Sequence, residues 1–513
     1  MLDALLLYSS RLDLRDPGSL TGLTILSTAL FLLWTVLSNR SPFLLINEKK
    51  PFEVLSVHAR RRFLRDARSM IESGLSKANV FRIESDNGIK TVLAPKYANE
   101  LRSHPQLNFG ASVAREFHAY LPAFAPFKQG TSSEEIFQDA VRTKLTQSLG
   151  LLTEPLSAET SVVLEKVWTN DADWHDIPLK QTILRIVAQL SSRVFLGDLI
   201  CRNPDWLRIT VDYTVDSFLA AQDLRLWPRP TRWIVAPFLA SYRKIQQELD
   251  EARAIITPVL EERRAAKEAV IRAGNKPPRY NDAMQWMEEC AKGRPYDPAI
   301  AQLGFSLAAI HTTSDMLTQV LLDLCERQEL IQELRREVIT VLQEEGWKKT
   351  ALYKLKLMDS TLKESQRLKP IAIGTMRRLT EKDITLSDGT VIPKGTALFV
   401  PNSKMWDPTV YPDPHTFDPY RFLKMREMPG RETASHLVSP SPEHMGFGFG
   451  KHACPGRFFA ANEVKIALCH ILLKYDIRLA EGYTPVVRKN GLSLLADPLA
   501  KIAIRRRQEE ISL

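Results

Sequence analysis

The chain has 513 residues, 44% hydrophobic and 25% charged, a balance that supports a large buried core and excludes a disordered chain, a collagen-like repeat and a polytopic transporter. Its 69 Lys and Arg against 60 Asp and Glu leave a net charge of +9, interleaved along the chain with no arginine-rich arm and no nucleic-acid motif. A basic surface facing a membrane or an acidic protein is expected, nucleic acid is not, and length alone suggests about three domains.

Residues 20–37 read LTGLTILSTALFLLWTVL, without a charge, just enough helix for a hydrocarbon core of about 30 Å. Trp34 stands near one end, where its amphipathic ring suits the headgroups. VLSNRSP offers no cleavage site, so an uncleaved transmembrane anchor is expected rather than a secretory signal. Arg40, Lys49, Lys50 and Arg60-Arg61-Arg62 follow the span, whereas Arg11 and Arg15 before it are diluted by Asp3, Asp13 and Asp16. The positive-inside rule then puts residues 1–19 across the membrane and the remainder in the cytosol, where Asn39-Arg40-Ser41 would stay unglycosylated. Residues 38–51, bracketed by Pro42 and Pro51, form a linker to a body spanning 52–513.

Helical periodicity runs through Val54–Leu75, Phe137–Leu152, Gln181–Phe195 and Pro237–Ala269. Arg272–Pro298 is polar and reads as an exposed connection; long helices are expected over Ala299–Glu329 and Leu357–Lys369. Ala372–Val400 alternates and carries Asp388-Gly389 and Pro393-Lys394-Gly395, so short strands are expected there. Prolines 401, 408, 412, 414 and 419 mark an irregular meander, and a helix over Arg457–Tyr475 precedes strand-like segments to Arg505. The fold class is mainly α with a small β portion.

Cys201, Cys290, Cys325, Cys454 and Cys469 contain no C-x-x-C pair, which disfavours a zinc site or disulfide framework and suits a reducing compartment. One of them stands apart. FGFGKHACPG at Phe447–Gly456 runs directly into a helix, its glycines permitting a tight loop and Pro455 favouring the first helical turn. Cys454 is thereby placed at a positive helix end, where a thiolate is favoured.

This F-x-x-G-x-H-x-C-P-G segment resembles the haem-binding loop of the cytochrome P450 superfamily. The resemblance implies haem b with Cys454 as axial iron ligand, a thiolate that pushes electron density toward O–O cleavage. It further implies Phe447 beside the sulfur, and His452 and Arg378, ahead of its neighbour Arg377, near the haem propionates. Glu364 and Arg367 in KESQRLKP, i,i+3 on a helix, together with Arg421 in FDPYRF, are similar to the superfamily's structural Glu–Arg–Arg network. On the long helix, Phe305-Ser306-Leu307-Ala308-Ala309-Ile310-His311-Thr312-Thr313-Ser314-Asp315 places Ala308 and Thr312 on one face. Ala308 would leave room for dioxygen, and Thr312 would hydrogen-bond back to the Ala308 carbonyl, open the helix locally and guide protons.

The chain departs from the superfamily pattern twice. His311 stands where an acid usually precedes the threonine, with Asp315 one turn on to orient it as a proton relay. Near residue 140 there is no Trp–Arg pair, only Arg142 and Lys144 in AVRTKLTQ. AAIHTTSD, NEKKPFE and CRNPDW are similar to a filamentous-fungal branch around ent-kaurene oxidase-like and indole-diterpene-tailoring enzymes. The resemblance implies one P450-fold catalytic domain behind a single anchor in the endoplasmic reticulum membrane, with a short lumenal N-terminus. It implies a monooxygenase that hydroxylates or oxidises an apolar terpenoid, indole-diterpene or meroterpenoid, with electrons from NADPH through a separate reductase. Lys451, Arg457 and Lys465 would form a basic face toward that reductase. Phe305, Ala309, Ile371, Ile373 and Leu492 would line the substrate pocket. A haem-thiolate isomerase or dehydratase is the alternative that His311 leaves open; a membrane-tethered interaction protein with a merely structural Cys454 is another.

Overall fold

Where the chain is helical it follows its apolar stripes and caps, and one helix organises the rest. Asp297 accepts from the Ile300 N–H at 3.0 Å and Pro298 takes the first turn, starting a helix over Pro298–Cys325 that is buried on nearly every side. Such a helix is a core element rather than a surface one. Leu179–Leu196, Pro204–Arg225 and Ala240–Arg272 pack against it.

The structure, a computed structural model, describes residue 27 and residues 41–50, 53, 56–129 and 135–512. The span expected at 20–37, apart from Ser27, and the segment before it lie outside these residues. Among the described residues no helix is long and apolar enough to cross a membrane. The chain separates into Met1–Leu44 and Leu45–Leu513, and the latter is one unit, not the several that its length alone suggests.

Strands are confined to small sheets. The largest runs in the order Leu45–Ile46, Val80–Ser85, Gly88–Leu93, Ala397–Pro401, Gly374–Thr380, Leu107–Asn108. A second joins Tyr475–Leu479, Lys501–Arg506 and His175–Pro178. A large helical core and a smaller cluster beneath the first sheet, including Phe63, Phe81, Ile373, Phe399 and Leu492, account for the buried apolar side chains around them.

Three sequence expectations are corrected. Arg272–Pro298 is not all connection: Ala283–Ala291 is a helix, N-capped by Asp282 at 3.0 Å from the Gln285 N–H, with Met284, Met287 and Cys290 buried at helical spacing. The long helix stops at Cys325 and a separate one spans Gln328–Glu345. The helix expected over Phe137–Leu152 is Ile136–Asp139, a π turn over Ala140–Leu145, and then Thr146–Trp168, which continues through Pro155.

Among the buried carboxyls, Glu463 has a single described partner, Ser191 Oγ at 2.8 Å, and its Oε2 has none among the described residues. Burial pushes its pKa up to about 8. The folded protein holds this proton where the unfolded chain has released it, so stability is full below the ordinary glutamate range and falls as pH rises toward 8. Glu463→Gln is expected to flatten that slope, at most about 1.4 kcal/mol per pH unit, and to raise the urea midpoint at pH 8; an unchanged pH profile would refute this.

Candidate active site

The loop before the last long helix is set by its backbone. Gly448 N–H donates to the Met445 carbonyl at 2.9 Å, Cys454 N–H to the Phe447 carbonyl at 2.8 Å, and Lys451 N–H to the Arg102 carbonyl at 2.9 Å. Gly450 has φ of 77°, and any Cβ there would fall well inside contact distance of the Arg102 carbonyl. Gly450→Ala is therefore expected to cost roughly 1–3 kcal/mol and to weaken cofactor retention, measured as the ratio of haem to protein; full retention would contradict it.

Cys454 sits just before the Arg457–Lys474 helix. Burial raises its thiol pKa, opposed by the Gly456 and Arg457 N–H groups and by the Arg457 charge. In the protein alone, burial outweighs the helix-terminus effect expected to favour the thiolate. A metal that coordinates a thiol deprotonates it, so thiolate character belongs to the loaded site. Arg457 donates to the Cys454 carbonyl at 2.8 Å and to the Val438 carbonyl at 3.0 Å, which fixes the loop to the segment before it.

Behind the loop lies a fully interior ion cluster. Arg367 meets Glu364 in a two-pronged pair, both contacts 2.8 Å, and Arg421 Nε reaches both Glu364 oxygens at 3.2 Å. Arg367 also donates to the Met405 and Pro414 carbonyls and Arg421 to the Pro412 carbonyl, each at 2.7 Å. The cluster thus ties the Lys356–Leu368 helix to the proline meander.

The Gly374–Thr380 strand carries a bulge between Thr375 and Arg378, with Met376 at φ 50°. Arg377 turns to Glu116, at 3.5 Å, whereas Arg378 turns inward over the Phe109 ring, at 5.7 Å from its centroid. Phe109 in turn lies 5.9 Å from the His452 ring. Arg378 is 2% exposed, and its Nε has no hydrogen-bond partner among the described residues. Burial and the charges of Arg378, Lys451 and Arg142 push His452 down to about 4. Arg142 therefore belongs to this cationic neighbourhood, while Lys144 pairs with Glu289 at 2.5 Å.

On the long helix, Ala308 and Thr312 are exposed one turn apart, although most of their helix is buried. Thr312 Oγ1 donates to the Ala308 carbonyl at 2.8 Å and lies 3.1 Å from that of Ala309, but the helix continues unbroken; the expected local opening is not formed. Asp315 does not orient His311. Its carboxylate is taken by Lys369, by Lys180 at 3.1 Å and by the Ala496 N–H at 2.9 Å. His311 Nε2 instead donates to the Val211 carbonyl at 3.0 Å, and burial lowers its pKa, so the ring is a neutral tether to a neighbouring helix. The relay expected of it lacks its acid.

The pocket expectations divide. Ala309 and Ile371 remain half-buried. Phe305 is 3% exposed, its ring packed 4.3 Å from that of Phe137 and 5.1 Å from that of Phe195. Ile373 and Leu492 are both buried in the cluster under the sheet, where the Ile373 N–H also donates to the Leu492 carbonyl at 2.8 Å. Lys465 is corrected, since it is buried against Asp359 at 2.6 Å and cannot join an exposed basic face. Phe109 and Lys363 went unsuspected; Lys363 Nζ donates to the carbonyls of Ala434, His436 and Ser439 at 2.7–2.9 Å.

The residues fit a flat, dianionic, thiolate-ligated group. A cysteine sits on a tight loop, an inward arginine keeps a buried donor unpaired among the described residues, and a helix turn of small residues stays open. The sequence model of the family described as Cytochrome P450 matches residues 79–503. The chain is a cytochrome P450. Membership makes it a monooxygenase, an oxidoreductase that incorporates oxygen, and implies a haem-thiolate cofactor, a redox partner that delivers electrons and a small-molecule substrate. The P450 is 56% identical over 503 residues to cytochrome P450 monooxygenase adrA of Penicillium rubens, covering 97% of this chain and 98% of that one. It is 50% identical over 486 residues to cytochrome P450 monooxygenase trt6 of Aspergillus terreus, covering 94% and 97%. In fold it matches a cyanobacterial P450 solved with retinoic acid bound, at a TM-score of 0.64 and 18% identity, over 87% of this chain and 96% of that one.

Proposed function

We propose that this P450 is a membrane-anchored enzyme of the endoplasmic reticulum that hydroxylates or oxidises an apolar secondary-metabolite scaffold of terpenoid, indole-diterpene or meroterpenoid type. Electrons would come from NADPH through a separate reductase, and the single-pass anchor would be 20–37. The observation that carries the catalytic reading is the small-residue turn at Ala308 and Thr312, open within a buried helix, in a chain that also presents Cys454 on its loop. Near-full-length likeness to monooxygenases of Penicillium and Aspergillus supports the fungal setting.

Haem b, when bound, supplies the oxygen chemistry; the chain's residues set its terms. Cys454 would ligate iron, with Phe447 beside it and Arg378 and His452 toward the propionates. A carboxylate near Arg378 would give its unpaired Nε a partner. Thr312 Oγ1, whose hydrogen is held by the Ala308 carbonyl, would present its oxygen lone pairs as an acceptor to a proton donor on the open face of the turn. His311, neutral and tied to Val211, keeps two helices in register beside that turn.

The test is reconstitution of the full chain with an NADPH-dependent reductase, candidate terpenoids and isotopically labelled dioxygen. One labelled oxygen in the product is expected; a rearranged or dehydrated product without label would overturn the proposal in favour of an isomerase or dehydratase. Thr312→Ala is expected to keep haem and its spectrum but to lower product formed per NADPH consumed, roughly a hundredfold at the low end of positioned proton transfer. Unchanged coupling would exclude the role given to Thr312.

A further inference from the structure

A cavity of about 200 Å³ lies away from the haem-binding loop, bounded by the Ser85–Gly88 turn, the Phe109–Glu116 helix and the segment after Pro204–Arg225. Its walls are strongly basic. Lys90, Arg225 and Arg377 share the cavity's two carboxylates: Arg225 meets Asp86 at 3.0 Å, and Lys90 and Arg377 meet Glu116 at 3.2 and 3.5 Å. Four further guanidiniums, of Arg60, Arg115, Arg229 and Arg232, line it with no carboxylate ion pair among the described residues. Seven cations against two carboxylates leave five positive charges around one small space.

Arg60 Nε and Arg225 Nε are buried without hydrogen-bond partners among the described residues. The charges also act on one another: Arg229 lowers the pKa of Arg115 and Arg225, Arg229 and Arg60 lower that of Arg232, in each case added to burial. Concentrating unpaired guanidiniums raises the free energy of the fold unless an anion neutralises them. Arginine's planar fork suits the oxygens of a phosphate group.

The segment that supplies Arg229 and Arg232 also presents Leu226, Trp227, Trp233, Ile234 and Phe238 to solvent, Trp233 at 65% and Phe238 at 77% exposure. Tryptophan beside arginine, with aliphatic side chains around them, is the chemistry of a surface that meets lipid headgroups. A free phosphate would account for the cations and not for this rim.

We propose that this cavity binds the phosphate headgroup of an anionic membrane lipid, with the Trp227–Phe238 rim lying against the lipid surface. The anion site stands independently of the haem chemistry; only the choice of a lipid as its source draws on the proposed membrane association.

The test uses the full-chain holoenzyme in a neutral detergent, titrated with a short-chain phosphatidate below its micelle concentration, with the matching phosphatidylcholine and with inorganic phosphate. Phosphatidate is expected to raise Tm saturably and to change tryptophan fluorescence. Phosphatidylcholine should do neither, and inorganic phosphate should bind at least tenfold more weakly. R229A/R232A should weaken phosphatidate binding tenfold or more while the haem spectrum is unchanged, and R229K/R232K should restore most of it. R229A alone, at an exposed position, serves if the double variant fails to fold. No saturation, or binding by R229A/R232A and by R229A as tight as by the wild-type chain, would overturn the site. Inorganic phosphate binding as tightly as phosphatidate would overturn its assignment to lipid.

Discussion

Cys454→Ala is expected to give a folded protein without the red-shifted band of the reduced carbon monoxide complex and without monooxygenase activity. The argument is chemical as well as positional. Among the described residues Cys454 is the free cysteine that is only partly buried, on a loop whose backbone is fixed by the Phe447 and Arg102 carbonyls; the other four are buried. Burial raises the pKa of Cys201, Cys290, Cys325 and Cys469 as well; arginine charges oppose it at Cys201 and a backbone N–H at Cys469, but the two act together at Cys454. Because alanine is smaller and apolar, the loop's hydrogen bonds survive and the loss should be confined to ligation. Cys469→Ala is the comparison: a buried thiol on the same chain, expected to cost stability while leaving the spectrum intact. A red-shifted band persisting in Cys454→Ala would remove Cys454 as ligand.

The second large effect is structural. Glu364→Ala would leave Arg367 and Arg421 facing each other in the interior, with side-chain exposures of 0% and 9% and no counter-charge. Breaking one partner of a buried cluster costs roughly 3–5 kcal/mol, a large part of the 5–15 kcal/mol typical of a folded domain. Their remaining hydrogen bonds go to the carbonyls of Met405, Pro412, Asp413, Pro414 and Thr416, so the meander should loosen first. Hydrogen exchange is expected to rise across residues 401–421, together with a lower unfolding midpoint and low haem incorporation. Wild-type protection across the meander would show that its fold does not depend on the cluster.

What was legible in the chain was local. The Phe447–Gly456 loop declares itself because its glycines, proline and cysteine act within ten residues, and the i,i+3 pair Glu364–Arg367 because helical geometry fixes it. The Val80–Leu93 hairpin carried an Asn87-Gly88 turn, with Gly88 at φ 84°, and Asn203-Pro204 capped the next unpredicted helix, with Asn203 Oδ1 2.9 Å from the Asp205 N–H. Both signals were present within a few residues. Asp315 was different. Lys180 and Lys369, which hold it, are 135 and 54 residues away, and no periodicity announces such partners. The same holds for Lys363, whose three carbonyl partners lie 71 to 76 residues ahead. For Ile373 and Leu492 the sequence shows only apolar side chains at a strand end, which suit a cavity and a core equally well.

The bulged Gly374–Thr380 strand has a consequence for how variants of this chain tolerate length changes. Arg377 and Arg378 are neighbours in sequence but serve opposite sides, one toward Glu116 and the basic cavity, the other toward Phe109 and His452. A single-residue deletion at Met376 would remove the extra residue that stands between the Thr375–Val400 and Arg378–Leu398 pairs and leave an unbroken ladder. Arg377 and Arg378 would still fall on opposite faces by plain alternation. The strand thus acts as a two-way sorter, and its bulge is slack that a one-residue shortening can take up.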